Sequence, residues 1–344
     1  MKILITGVHG FVGSNLVNAL KDKHTIYGLD IIAPAKDGVR YTFSWDYLDS
    51  KDGIPEVDAI IHLAGKAHDT KNKSAAEVYF KVNTELTKKI FDYFLAHEGI
   101  KKFVFFSTAK AAADRVEGVL TEDVTPAPVG PYGESKIAAE KYIIEKFKEI
   151  NSSTVQDNSQ LSSDPELATD SKPSTINSTL SEKQVYILRP CMIHGPGNKG
   201  NLNLLYGVVS KGIPWPLGAF ENRRSFTSIG NLQEVIKGLL TKDAPSGIYN
   251  MGDDEALSTN ELIEVICSAL GKKAHIWRIP RGLMNGFAKI GDVLHLPLNT
   301  QRMQKLTENY VVSNAKIKAA LGMKEMPVRA KDGLRETIKS FENS

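Results

Sequence analysis

The stretch Lys2-Ile3-Leu4-Ile5-Thr6-Gly7-Val8-His9-Gly10-Phe11-Val12-Gly13 decides the fold. Its first five residues read as a short buried strand. Glycines at 7, 10 and 13 follow, and a helical pattern runs from Phe11 to Lys21. Glycine permits a tight turn, a close backbone approach to a pyrophosphate and close helix–strand packing. The free N–H groups at a positive helix end then meet phosphates. Gly7, Gly10, Phe11, Val12 and Gly13 are therefore candidates for binding a dinucleotide, against the alternative of a purely structural turn. Asp30 closes a second strand, Thr25–Asp30, seventeen residues beyond Gly13. A carboxylate there accepts from ribose hydroxyls and repels a 2′-phosphate, while Ile31 and Ile32 offer no cation. This favours NAD over NADP. Asp46 and Tyr47 are weaker candidates for the adenine end.

Outward from this turn, apolar runs at Ala59–Leu63, Phe103–Ser107 and Val185–Arg189 alternate with helical stretches at Ala75–His97 and Tyr132–Ile150. The alternation predicts an α/β fold, a Rossmann-type doubly wound parallel sheet with a smaller C-terminal α/β part. The expected division is a dinucleotide-binding domain of residues 1–189 and about 226–253, and a substrate-binding domain of about 190–225 and 254–344. After Arg189 the pattern loosens, with loops marked by Gly195-Pro196-Gly197, Pro214 and Pro216, and a helix over Asn260–Leu270. The segment 151–183 is rich in Ser, Thr, Asn, Asp and Gln and reads as a mobile insertion at the amino edge of the sheet. A partner-binding segment is the competing reading.

Charge narrows the partners. Lys plus Arg is 43, Asp plus Glu is 40, and the net charge is +3. That near-balance gives no general reason to expect nucleic acid or a membrane as partner. Cys191 and Cys267 have no metal-ligand spacing and no disulfide framework, so no metal is expected. The chain enters a strand at once, without an apparent signal peptide, and has no long uncharged apolar run. A soluble, cytoplasmic protein is expected.

Tyr132-Gly133-Glu134-Ser135-Lys136 follows Gly130-Pro131, and a spacing of four puts Tyr132 and Lys136 on one helix face. A nearby ammonium and a cationic nicotinamide ring would both draw the phenol pKa down from about 10 towards use as a general base or acid. The strand Phe103–Phe106 runs into Ser107 and Thr108, and either hydroxyl could meet a substrate beside the tyrosine.

With these motifs the sequence resembles the NAD-dependent epimerase/dehydratase family, the extended short-chain dehydrogenases. The resemblance implies cofactor contacts from Leu63, Ala64, Gly65, Asn83, Tyr132 and Lys136, and catalytic roles for Thr108, Tyr132 and Lys136, with Ser107 the other hydroxyl that the strand end offers. His62, by contrast, reads as an ordinary core histidine. Leu217–Phe226 resembles the nucleotide-sugar branch, bacterial polysaccharide enzymes acting on UDP-hexosamines. It implies that Arg224, with Asn201 and Arg302, grips the substrate diphosphate, to which a guanidinium fork is suited. Arg223-Arg224 as a solvated surface pair is the alternative. The acid pair that follows the threonine in 4,6-dehydratases is replaced here by Ala109 and Lys110, and Ala111, Ala112 and Ala113 follow. Tyr310 falls near a position that limits sugar size in related epimerases. The resemblance implies an NAD-dependent UDP-hexose or UDP-N-acetylhexosamine 4-epimerase working through a 4-keto intermediate. A UDP-4-keto-6-deoxy-hexosamine 4-ketoreductase is the rival, and a non-catalytic dinucleotide-binding regulator a more distant one. It also implies a homodimer through the two helices near Ala75–His97 and Tyr132–Lys148.

Overall fold

Strand β1 (Lys2–Thr6) is buried from Ile3 onward and pairs in parallel with β2 (Thr25–Leu29) on one side and β4 (Ala59–His62) on the other. In this computed structural model β3 (Tyr41–Phe43) extends the sheet beyond β2, and β5 (Lys102–Phe106) and β7 (Gln184–Pro190) extend it beyond β4, all in parallel. With β10 (Gly247–Met251) they form a seven-stranded sheet of order β10-β7-β5-β4-β1-β2-β3. Successive strands are added to one side of β1 and then, from β4, to the other. The reversal opens a crevice at the carboxyl ends of β1 and β4, where such sheets bind ligands. The expected doubly wound sheet is therefore present, with two strands, β3 and β10, that the sequence pattern did not show.

The described residues are 1–50, 53–67, 75–160, 182–198, 200–294 and 299–342. The chain divides into one unit of Met1–Asp114, Thr125–Arg189 and Leu239–Tyr249, and a second of Arg115–Val124, Pro190–Gly238 and Asn250–Ser344.

In the first unit, α1 (Phe11–Leu20) buries Gly13, Leu16, Val17 and Leu20, the spacing of one helix face. The expected Ala75–His97 helix is interrupted. It runs as α2 (Ala76–Phe80), a π-helical turn over Lys81–Glu85, and α3 (Leu86–Ala96). Phe91 and Phe94 from α3 meet Phe103 of β5 at centroid distances of 5.0 and 5.3 Å, in the sheet's core. A short α4 (Ala109–Ala112) follows β5. Helix α5 (Pro131–Gln160) starts with proline at its first position, where no amide hydrogen is needed. It continues ten residues into the Ser/Thr-rich segment, against the expectation that this segment interrupts the helix at once. Residues 161–181 of that segment lie outside the described residues. Lys183, at the end of the expected insertion, is 4% exposed. Its ammonium donates to the carbonyls of Phe94, His97 and Ile100 at 3.0, 2.7 and 2.7 Å. There it caps the negative end of α3. Burial pulls its pKa down to about 8.

The second unit holds two small parallel sheets. β6 (Val119–Leu120) pairs with β11 (Val311–Val312), and β8 (Met192–His194) with β9 (Phe226–Ser228). Helices α6 (Asn201–Val209), α8 (Thr259–Ala269) and α12 (Ala330–Glu342) pack a core around Ile263, Ile266, Leu334 and Ile338. Ser258 and Glu261 form a capping box that fixes the start of α8. Helix α7 is Ile229–Thr241 and α11 is Ala315–Leu321. Helices α9 (Arg281–Leu294) and α10 (Thr300–Thr307) join through Met284, Ala288 and Met303.

Candidate active site

The glycine turn is built for close approach. Gly7 sits at φ +69°, and a Cβ there would lie 3.0 Å from Ala64 N. A Cβ on Gly13 would lie 2.3 Å from Gly7 O, so only glycine lets α1 start against the turn. No side chain caps the amino end of α1, and its first turn holds no acid, which leaves a bare positive helix end at Phe11, Val12 and Gly13, suited to an anion. Asp30 follows the carboxyl end of β2. Its carboxylate accepts from His9 N at 3.1 Å and from Ile31 N at 2.8 Å, which aims it across the glycine turn. Ile31 and Ile32 beside it are exposed. Asp30 N donates to Phe43 O at 3.0 Å, so the end of β3 lies alongside. Asp46, exposed, and Tyr47, packed edge-on to Phe43 at 5.2 Å, follow that strand on a short 3-10 turn, Trp45–Asp49.

The segment after β4 is fixed by a chain of hydroxyls. Leu63 N and Ala64 N donate to Thr6 Oγ1 at 3.1 and 2.9 Å. That leaves the Thr6 hydroxyl hydrogen for His62 Nδ1 at 2.7 Å. The ring's Nε2 then carries the proton and donates to Thr87 Oγ1 at 2.9 Å, which donates to Asn83 O at 2.7 Å. His62 is wholly buried, and desolvation holds its pKa well below the usual histidine value. The reading of His62 as a core residue fits this arrangement. Asn83, inside the π turn, spends its side-chain amide on the protein. It accepts from Lys66 N at 2.7 Å and donates to Lys66 O at 3.1 Å and Ser135 Oγ at 2.9 Å. It thus ties the loop after Gly65 to the first turn of α5. A π turn lengthens one helical loop by a residue and often marks a functional position.

Thr108, Tyr132 and Lys136 come together. Thr108 caps α4, and its side chain hydrogen-bonds the phenol of Tyr132. Burial pushes the Tyr132 phenol up; the Thr108 hydrogen bond opposes that and Tyr79, edge-on at 6.5 Å, adds to it. Lys136 is not among the groups that shift Tyr132 in the chain by itself. The lysine is spent elsewhere: its Nζ donates to Phe106 O at 2.8 Å and lies 3.1 Å from where a Cβ on Gly65 would be. Burial pulls Lys136 down to about 8, with the Glu140 carboxylate pulling the other way. At neutral pH it remains largely an ammonium.

Ser107 is not placed for substrate. It is buried and its hydroxyl donates to Glu140 Oε1. Glu140 is fully buried in an ion pair with Arg189, whose Nε donates at 3.0 and 3.1 Å and whose NH2 donates at 2.5 Å. Sequence reasoning missed this pair, although Glu140 continues the spacing of four set by Tyr132 and Lys136, and Arg189 is the last residue but one of β7. The positions after Thr108 supply no acid or base. Ala109, Ala111 and Ala112 are buried, and Lys110 turns to Asp114 at 3.0 Å.

In the second unit Arg224 is held by its backbone. It exchanges hydrogen bonds with Leu257, both at 2.9 Å, and bridges to Tyr310, which is buried. Its guanidinium donates to Lys305 O at 2.7 Å, on the helix that carries exposed Arg302. Arg223 points away to Glu261 at 2.9 Å, so the two arginines do not form one solvated pair. Asn201 is exposed at the first position of α6. Cys191 and Cys267 are free thiols, and no group of three or more metal-ligating side chains occurs among the described residues.

Comparison with known proteins follows the same lines. A UDP-glucose 4-epimerase of Vibrio cholerae is 29% identical, covering 98% of this chain and 95% of the relative. An N-acetyl-alpha-D-glucosaminyl-diphospho-ditrans,octacis-undecaprenol 4-epimerase of Escherichia coli O157:H7 is 24% identical, covering 92% of this chain and 84% of the relative. The structure of UDP-glucuronic acid 4-epimerase from Bacillus cereus, solved with NAD, superposes with a TM-score of 0.68 at 19% identity, covering 100% of this chain and 99% of that one, and shows the shared fold. Residues 3–155, which span the glycine turn, Thr108, Tyr132 and Lys136, match the NAD dependent epimerase/dehydratase family.

Proposed function

We propose that the chain is an NAD-dependent nucleotide-sugar 4-epimerase acting on a UDP-hexose or UDP-N-acetylhexosamine through a 4-keto intermediate. The observation that carries this reading is the hydrogen-bonded Thr108–Tyr132 pair with the Lys136 ammonium fixed behind it. The glycine turn fits NAD: its phosphates would take the uncapped start of α1 at Gly10, Phe11, Val12 and Gly13, with Asp30 at the adenosine ribose and Leu63, Ala64 and Gly65 alongside. Bound NAD supplies a reversible two-electron acceptor. The protein's part is proton movement and position. Thr108 hydrogen-bonds the sugar C4 oxygen, and Tyr132 takes the C4 hydroxyl proton and later returns one. The Thr108 hydrogen bond lowers the cost of the phenolate, which burial makes unfavourable, and a bound nicotinamide cation would lower it further, with Lys136 holding the nicotinamide ribose. Because Ala109 and Lys110 offer no acid–base pair, loss of water from the sugar has no proton donor there. Arg224 and Arg302 would hold the diphosphate, with Asn201 as a further contact. Asp30 itself, followed by Ile31 and Ile32 in place of a cation, supports NAD over NADP.

The test is to incubate purified protein with each UDP-sugar, without added reductant, and follow the anomeric signals by NMR. A C4 epimer is expected. Stoichiometric cofactor oxidation on a UDP-4-keto-6-deoxy-hexosamine, with no epimer from any UDP-sugar, would replace the epimerase by the ketoreductase. We also propose a homodimer through the helices around Ala75–His97 and Tyr132–Lys148. A monomer in sedimentation at micromolar protein would exclude it.

A further inference from the structure

Helix α9 carries two apolar faces and uses one. Met284, Ala288 and Gly291 are buried in the second unit. Leu283, Phe287, Ile290 and Leu294 are 53%, 50%, 52% and 61% exposed, and Val293 is 75% exposed. At 3.6 residues per turn, 283, 287, 290 and 294 fall within an arc of about 60°, so they form one stripe along the helix. Single exposed apolar residues are ordinary, but a continuous stripe marks an interaction surface. Trp277, four residues before the helix, is 57% exposed.

The segment of sequence that carries the stripe is also strongly basic. From Lys272 to Lys305 the sequence holds seven Lys and Arg and a single acid, Asp292, and all seven cations are exposed. This segment is therefore +6 in a chain whose total is +3, which leaves the remainder acidic on balance. The near-neutral total conceals a strongly basic region. We infer that the exposed stripe of α9, in its strongly basic segment of the chain, docks on an anionic lipid surface. An amphipathic helix with cations beside its apolar face lies in the plane of the membrane interface, and tryptophan favours that depth. Each cation near such a surface adds attraction. A second copy is a poorer occupant, because a two-fold contact would set the basic region of one chain against its equal on the other. Spanning is excluded for this helix: its 14 residues extend about 21 Å, short of the roughly 30 Å hydrocarbon layer. No helix among the described residues is long and apolar enough to cross a membrane. The inference revises the expectation of no membrane partner, which rested on total charge. It holds whichever sugar the enzyme acts on. It would bring the chain to the surface where diphosphate-linked sugars on polyprenyl carriers reside.

The experiment is flotation of the full chain with phosphatidylcholine vesicles, with and without phosphatidylglycerol, at low and high salt. Wild type should float with the anionic vesicles and lose most of that binding in high salt. Phe287→Ser with Ile290→Ser should cut vesicle binding about tenfold or more, and Lys289→Glu with Lys273→Glu by less. Turnover of a soluble UDP-sugar and the thermal midpoint should be unchanged in both variants. Leu283→Ser serves as a second apolar variant if the double one folds poorly. Equal vesicle binding by wild type and the apolar variants, or no binding by wild type, overturns the inference. So does a sedimentation change showing that the stripe joins two copies. Vesicle binding without turnover of any UDP-sugar would uphold the docking and reject the proposed function.

Discussion

The two units treat their functional side chains differently. In the first, the residues around Tyr132 are saturated with internal bonds. Asn83 makes three, Lys136 is tied to Phe106 O, and Ser107, Glu140 and Arg189 close a buried knot behind them. In the second, Arg224 is positioned by its backbone, while Arg302 and Asn201 stand exposed. The contrast fits the two tasks proposed for them. Proton transfer needs groups whose protonation and direction are settled before substrate arrives. Diphosphate binding needs charge that can reach and close around a flexible ligand. The first unit thus ties its candidate groups together through buried side chains, while the second holds its candidate cations at or near the surface.

The sharpest way to break this comparison is the buried knot. Glu140→Ala leaves the Arg189 guanidinium buried without its partner, and unfolding free energy in denaturant titration should fall by about 3–5 kcal/mol. A loss under 1 kcal/mol would mean that the knot is solvated and not part of a rigid frame. Glu140→Gln, which keeps shape and loses charge, should also move the alkaline loss of activity. Lys136 titrates at about 8 with Glu140 holding it up, so removing that charge shifts the loss to lower pH.

Next in size is Tyr132→Phe. Turnover should drop by about 10²-fold or more while the thermal midpoint stays near wild type. Near-normal turnover would remove Tyr132 from proton transfer. A third effect is pH dependence of stability through His62. Its folded pKa lies below the unfolded value of about 6.5, so the unfolded chain takes up a proton that the folded one refuses. Stability is therefore complete above about pH 6.5 and falls below it, by at most about 1.4 kcal/mol per pH unit for this one group. Denaturant titrations of wild type and His62→Gln between pH 7 and 5 should diverge in slope, and parallel curves would exclude His62.

On the second unit's side, Arg224→Ala should raise KM about tenfold with kcat nearly unchanged, the pattern of lost ground-state binding. A fall in kcat alone would place Arg224 with the catalytic group instead. The smallest effect is expected at Asp30. Asp30→Ala should narrow the gap between NAD and NADP affinity several-fold in fluorescence titration. Tighter binding of NADP than NAD by wild type would reverse the reading of this strand end.

The sequence alone determined the elements whose signals are local. Glycines at 7, 10 and 13 are legible because a tight turn at a helix start admits little else, and Tyr132 and Lys136 because four residues make one helical turn. The parallel sheet followed from strand and helix alternation. Tertiary structure decided the rest. That Ser107 faces Glu140 while Thr108 faces Tyr132 depends on which side of a strand end each residue leaves, a choice of one residue that composition does not encode. That Asn83 sits in a π turn, and that Lys183 is a buried cap, depends on partners 17 to 89 residues away. In α9 the periodicity is that of an ordinary amphipathic helix. Only the packing of Met284 and Ala288 against Met303 shows which half of its apolar surface is covered and which is left to meet something else.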